Sequence, residues 1–190
     1  MDDIIIQMAT IDEIPEAAHV LSFAMIDNPI HLAVYQGQGE KERVDTEKTF
    51  FDILNEMPSK IFLAKSSKRI IGVMRMRPCS GSEVSDNNRV MDSFEFRKFL
   101  WLNEWTRRDP KYPHWHFGPL GVLPECQKKG VGAKLMRRVC DEVDALKAIA
   151  YLETDRERNV GLYRKFGFEV VDESMILDVK NTYMKRDPKL

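Results

Sequence analysis

The sequence lacks a long apolar run. None of its 190 residues lies in a stretch that approaches the ~18 consecutive apolar residues of a membrane span, so no membrane partner is expected. Cysteine is scarce: Cys79, Cys126 and Cys140 are an odd count without CxxC spacing. That pattern speaks against a disulfide framework or a cysteine-rich metal site and predicts free thiols in a reducing compartment. Charge of one sign is missing too. Lys and Arg number 29 against 30 Asp and Glu, a net −1, so no basic field recommends nucleic acid as a partner. The opening MDDIIIQMAT is acidic where a secretory leader is basic, so a cytoplasmic location is expected. Neither low-complexity tract nor internal repeat is present. The 43% hydrophobic and 31% charged residues are ordinary globular composition, and 1–190 is read as a single domain.

Residues 3–8 read as a first strand. Thr10 and Glu13 form a capping-box signature before Ile14, Ala17, Leu21, Ala24 and Met25, which recur at helical spacing. Asn28-Pro29 is expected to end that helix. A second helix is predicted over 40–57 with Val44, Phe51, Leu54 and Met57 on one side, stopped by Pro58. Apolar runs at 61–64 and 70–74 flank a polar turn and read as a hairpin. The segment 78–112 exceeds a hairpin connection: a polar loop over 78–88, then a helix over 93–108 carrying Trp101 and Trp105 one turn apart. Those tryptophans suit packing, a dimer contact or a pocket wall. Further strands are predicted at 115–122, 148–153 and 168–171, a closing strand pair over 174–186, and helices from Gly130 and over 159–166. The element order β-α-α-β-β-(insertion)-β-α-β-α-β-β implies an α/β (α+β) layered domain.

Chemistry concentrates in the strand–loop–helix unit from Gly118 to Ala133. A helix start offers unpaired N–H groups and partial positive charge, which suits phosphate. Gly130 and Gly132 open the backbone to an anion, and Lys128, Lys129 and Lys134 add cations. The same residues also suit a glycine-loosened turn with a solvated basic face. A P-loop is excluded, because Gly132 is followed by Ala133-Lys134-Leu135 and position 127 is not glycine. A dinucleotide fingerprint is excluded because Leu135 stands where its third glycine belongs.

Gln127-Lys128-Lys129-Gly130-Val131-Gly132, following a strand that ends Val122-Leu123-Pro124, resembles the acetyl-coenzyme A motif of the GCN5-related N-acetyltransferases (GNAT). Leu152-Glu153-Thr154 resembles the family's next strand. Asn159-Val-Gly-Leu-Tyr163-Arg-Lys-Phe-Gly-Phe168 resembles its N-x-x-x-Y-x-x-x-G-F helix, and Thr182-Tyr183-Met184 its closing strand. His114-Trp115-His116 through Phe168 is most similar to the puromycin-acetyltransferase-like branch. The resemblance implies a mixed, mostly antiparallel sheet of about seven strands, splayed between the fourth and fifth. It also implies acetyl-CoA as co-substrate, with no metal.

The resemblance places the pantetheine arm along the backbone of Leu120, Gly121 and Val122. The pyrophosphate falls on Lys128, Lys129, Gly130, Val131, Gly132 and Ala133, with Gln127 opening the motif. Asn159 is implied to reach the pantetheine arm, or else caps its helix. Tyr163 stands near the thioester sulfur as a proton donor, or else is a core aromatic. The general base is open among His116, Glu153 and water. His116 lies six residues before Val122, where histone-acetylating relatives carry Glu, and His114 shares its strand face by the period of two. The implied function is acetyl transfer to a primary amine of a small molecule or peptide by direct attack, with a homodimer left open. The competing reading is a non-catalytic acyl-CoA sensor or partner subunit.

Overall fold

The structure is a computed structural model that describes residues 3–81 and 91–189. Most of the predicted polar loop at 78–88 lies outside those residues. Among the described residues, seven strands form one sheet: β1 (Ile5–Met8), β2 (Lys60–Ser66), β3 (Arg69–Cys79), β4 (His114–Val122), β5 (Ala150–Thr154), β6 (Glu169–Ile176) and β7 (Val179–Arg186). The spatial order is β1-β2-β3-β4-β5-β7-β6. Neighbours are antiparallel except β4 and β5, which are parallel. The helices are α1 (Ile14–Ala24), α2 (Pro29–Tyr35), α3 (Glu40–Asn55), α4 (Ser93–Arg108), α5 (Val131–Ala145) and α6 (Glu157–Arg164). The predicted strand at 168–171 and the first half of the closing pair are one strand, β6.

The predicted capping box opens a single 3-10 turn, Ile11–Glu13, that leads into α1, with the Thr10 N–H donating to Glu13 Oε2 at 2.9 Å. Asn28-Pro29 does not merely end it. The Asn28 side chain accepts from the His31 N–H at 3.1 Å, and Pro29 occupies the first turn, so the pair opens the unpredicted helix α2. Helix α3 also corrects the sequence reading. Its buried residues are Thr46, Phe50 and Leu54, while Val44, Phe51 and Met57 are 49%, 41% and 79% exposed. Its inner face packs on α1 through a polar seam as well, where Arg43 reaches Ser22 Oγ at 3.2 Å and stacks on Phe23.

Helix α5 buries Val131, Leu135, Val139 and Val143 as its periodicity predicts, whereas Leu146 lies past its end and is half exposed. Gly167, at φ +88°, ends the turn after α6 and delivers Phe168 to the core. Arg186 ties the last strand down: its Nε donates to Phe166 O, and its fork holds both Asp144 oxygens at 2.6–2.7 Å. The main core lies between the sheet and helices α1, α3 and α5. A second, smaller apolar cluster joins Ile30, Val34, Trp101 and Ile176.

Strands β4 and β5 pair only at Trp115–Ala150 and His116–Tyr151. Beyond that rung they part, and the gap between them is the feature from which the site is built.

Candidate active site

The gap opens into a cleft of about 870 Å³. One wall is the unpaired edge of β4. The Leu123 N–H donates to Ile71 O on β3 at 3.0 Å. Bonding direction alternates along a strand, so Gly121 turns its polar groups to β3, while Leu120 and Val122 turn theirs to the edge that β5 has left. Gly121 therefore serves packing rather than backbone pairing in the cleft. A Cβ there would sit 2.7 Å from Leu21 Cδ2 and 2.9 Å from Ala24 Cβ on α1. The Val122 carbonyl accepts from Gln127 Nε2 at 3.0 Å, which braces the loop against the strand and leaves the Val122 N–H facing the cleft.

The floor is the start of α5. Gly130 has φ +81°, a conformation glycine adopts at little cost, and the first intrahelical bond runs from the Lys134 N–H to Gly130 O. The N–H groups of Val131, Gly132 and Ala133 are thus unpaired within the helix, and the first turn holds no acidic residue. A Cβ on Gly132 would meet only Val122 Cγ2 at 3.9 Å, and one on Gly130 would meet nothing within 4 Å. This open, electropositive start fits a pyrophosphate. Of the predicted lysines, only Lys128 lines the cleft. Lys129 Nζ donates to Glu125 O at 2.8 Å, and Lys134 reaches back to Ile4 O.

The opposite wall is the end of β5 and helix α6. Asn159 is not the helix cap, since α6 begins at Glu157; its Nδ2 donates to Thr154 Oγ1 at 3.4 Å, on the cleft wall. Tyr163 is 7% exposed, and its ring lies 6.1 Å from that of Phe168. Burial, with Asp155 and Glu153 nearby, holds its phenol protonated far above neutrality. Cys126 is half-buried on the cleft wall, and Cys140 is buried in the core, where desolvation raises its thiol to about 11.

The apex brings two of the base candidates together. His116 Nε2 lies 2.8 and 2.9 Å from the two Glu153 oxygens. With Nε2 shared with that carboxylate, Nδ1 remains buried and without a hydrogen-bond partner. His114 is not on the cleft wall. Its nitrogens face Tyr112 O at 2.9 Å and Asp109 at 3.1 Å. Burial opposes its protonation, but bonds to Asp109, Cys79 and Tyr112 raise its pKa to about 10. Cys79, Asp109 and His114 bring one donor atom each within 4.8 Å of one another, a cluster the sequence spacing did not signal.

The far half of the cleft contains residues that sequence reasoning missed. His31, on α2, packs against Trp101 at 5.2 Å and Phe50 at 5.6 Å between ring centroids. Asp155, at the end of β5, accepts from Asn28 Nδ2 at 2.9 Å and from the Ile30 N–H at 2.7 Å, which fixes α2 to the cleft. Trp101 and Trp105 join both predicted roles, lining the cleft while packing on each other at 5.0 Å. Trp105 Nε1 donates to Asn181 Oδ1 at 3.1 Å.

Among the described residues, the one parallel strand pair parts above a glycine-opened helix start, an arrangement that suits an acyltransferase. The chain belongs to the acetyltransferase (GNAT) family, whose sequence profile matches residues 28–168. Its fold is similar to that of arylalkylamine N-acetyltransferase 2 from Aedes aegypti, with a TM-score of 0.78 at 16% identity over 99% of this chain and 100% of that one. It is also similar to the histone acetyltransferase HPA2 and related acetyltransferase from Corynebacterium glutamicum (TM-score 0.73, 21% identity, 100% and 98% covered). A third similar fold is the ribosomal-protein-S18-alanine N-acetyltransferase from Escherichia coli (TM-score 0.63, 14% identity, 99% and 96% covered). Among the described residues no helix is long and apolar enough to cross a membrane.

Proposed function

We propose that the protein moves an acetyl group from acetyl-CoA to a primary amine of a small molecule or peptide, by direct attack and without a covalent enzyme intermediate. The observation that carries this reading is the convergence of the His116–Glu153 pair, the free Val122 N–H and the Tyr163 phenol on one cleft. Acetyl-CoA supplies an activated acyl carbonyl and a thiol leaving group. The chain supplies everything else. The N–H groups at the start of α5, with Lys128, hold the pyrophosphate, and the backbone of Leu120 and Val122, with Asn159, holds the pantetheine arm.

An alkyl ammonium with pKa near 10 cannot attack a carbonyl, and removing its proton at pH 7 costs about 4–5 kcal/mol, at roughly 1.36 kcal/mol per pKa unit. Glu153 accepts the His116 Nε2–H and holds the imidazole at the cleft, and this pair takes the amine proton, directly or through water. The Val122 N–H donates to the carbonyl oxygen as charge grows there. Tyr163 donates its hydroxyl proton to the departing sulfur. Gln127 and Gly121 position β4 and its loop without touching the reacting atoms. The resemblance of His114 through Phe168 to the puromycin-acetyltransferase-like branch fits amine acylation, and the free thiols fit a cytoplasmic location.

Thiol release from acetyl-CoA, followed across a panel of primary amines, tests the reading. Amine-dependent release is the expected result. Tight CoA binding with no release for any amine would support the sensor instead.

A further inference from the structure

The acceptor half of the cleft holds three cations beside the proposed base, Arg75, Arg77 and Lys98. Arg75 and Arg77 stand two residues apart on β3 and so project to one face of the sheet. Arg77 is the cross-strand partner of His116. Directly opposed side chains have Cβ atoms about 5 Å apart, so a guanidinium stem stands beside the proposed base. Lys98, on α4, lines the same cleft with both arginines.

These cations are poorly neutralised. Arg77 and Lys98 form no ion pair among the described residues. Arg75 is 3% exposed and makes one hydrogen bond, from Nη2 to Glu56 at 2.9 Å, while its Nε is buried without a partner. Desolvation lowers its pKa, Glu56 opposes that, and the neighbouring Arg77 adds to it. The acidic groups of the cleft are engaged elsewhere. Glu56 is bound to Arg75, Asp109 to His114, Glu153 to His116 and Asp155 to Asn28 and the Ile30 N–H, while Asp52 is exposed on α3. An ammonium brought to His116 meets the attraction of Glu153 and, at close range, the repulsion of Arg77.

We propose that the acceptor is amino acid-like, with a carboxylate one or two carbons from the acetylated amine. Arg77 and Arg75 hold that carboxylate, and Lys98 supports it. The inference rests on the amine-acceptor reading above and names its substrate class. A planar carboxylate matches the guanidinium fork. The anion also cancels the repulsion that the ammonium would meet. Phe50, Trp101 and Trp105 line the adjoining wall, so the side chain of the acceptor is apolar or aromatic.

The test uses matched acceptors that share a side chain: leucine, phenylalanine and tryptophan, their amides, and isoamylamine, phenethylamine and tryptamine. The expected kcat/KM is at least tenfold higher for the free amino acids than for their amides or amines. Arg77→Gln should erase that preference through the KM of the amino acid, leaving the KM of acetyl-CoA unchanged. Lys98→Gln should act likewise but more weakly, and both readouts stand even where Arg75→Gln fails to fold. Calorimetry with CoA present provides a second readout independent of turnover. Turnover of plain amines and amides as fast as amino acids would overturn this inference and keep the acetyltransferase. Tighter binding of amino acids without turnover would keep the carboxylate site and remove the transfer reading. Absence of both binding and turnover across the set would overturn the inference.

Discussion

Glu153, two residues beyond the last rung on which β4 and β5 still pair, reaches back to His116 on that rung, with 2.8 Å between carboxylate and imidazole. The pair stands where the sheet divides, so a proton can be moved at the point where two substrates meet. Glu153→Gln keeps the shape but removes the charge and brings an amide N–H that can face Nε2, so the tautomer is no longer fixed. Its kcat is expected to fall by about 10²–10⁴. His116→Ala should recover part of its rate at high pH, where more of the amine is already neutral. A pH–rate profile unchanged by His116→Ala would assign the proton transfer to Glu153 or to a water chain.

Tyr163→Phe keeps the ring packed against Phe168 and removes one hydroxyl. If that hydroxyl protonates the departing thiolate, kcat should drop by about 10²–10⁴ with little change in acetyl-CoA binding. Single-turnover kinetics gives the comparison free of product release. A normal chemical rate in the variant would remove the acid role.

Gly132→Glu tests the phosphate floor. The space around a Cβ at this position is open, so the fold should survive, as circular dichroism can verify. The carboxylate would stand against a pyrophosphate on the same helix start. CoA affinity by calorimetry should fall at least tenfold, about 1.4 kcal/mol. Unaltered affinity in a folded variant would move the pyrophosphate elsewhere.

Trp105→Phe should change the KM of the acceptor and leave that of acetyl-CoA nearly constant, because Trp105 lines the cleft from α4. A shift in oligomer mass with both KM values unchanged would assign the residue to a dimer contact.

His31 predicts an acid-side loss of stability. Its pKa is lowered from 6.5 to about 4, mainly by burial and further by Arg156 and Lys98. Between those values the unfolded chain holds a proton that the folded chain does not, so stability is full above pH 6.5 and falls as the pH drops toward 4. The slope reaches about 1.36 kcal/mol per pH unit. Urea unfolding at several pH values should show it, and His31→Gln should flatten it. An equal slope in the variant would place the acid sensitivity in other groups.

Much of this arrangement was legible in the sequence, and the reasons are physical. The start of α5 was readable because Gly130 and Gly132 mark where a backbone must turn left-handed or lie open, and Val131 to Val143 repeat at the helical period. Helix α2 was not, because proline both ends one helix and opens the next, and a seven-residue helix carries too little periodicity to separate the two. Phe51 and Val44 misled because apolar residues also occupy solvent faces, while Arg43 and Thr46 take part in the inner seam. Arg75 and Arg77 gave no local signal. Their meaning depends on β3 lying beside β4, and the long-range register that makes Arg77 the neighbour of His116 is not written in either segment alone.

The Asp155 carboxylate joins two bodies of unequal strength. Helices α2 and α4 share the small cluster around Ile30, Val34, Trp101 and Ile176, whereas α5 and the central strands are built into the main core. A region held by few apolar side chains opens at lower free energy than the whole. The acceptor wall can therefore loosen as a unit while the cofactor side stays folded, with Asp155 as its latch. Amide protons of α2 and α4 should exchange ahead of those in α5 and β4, one half of the cleft breathing while the other holds.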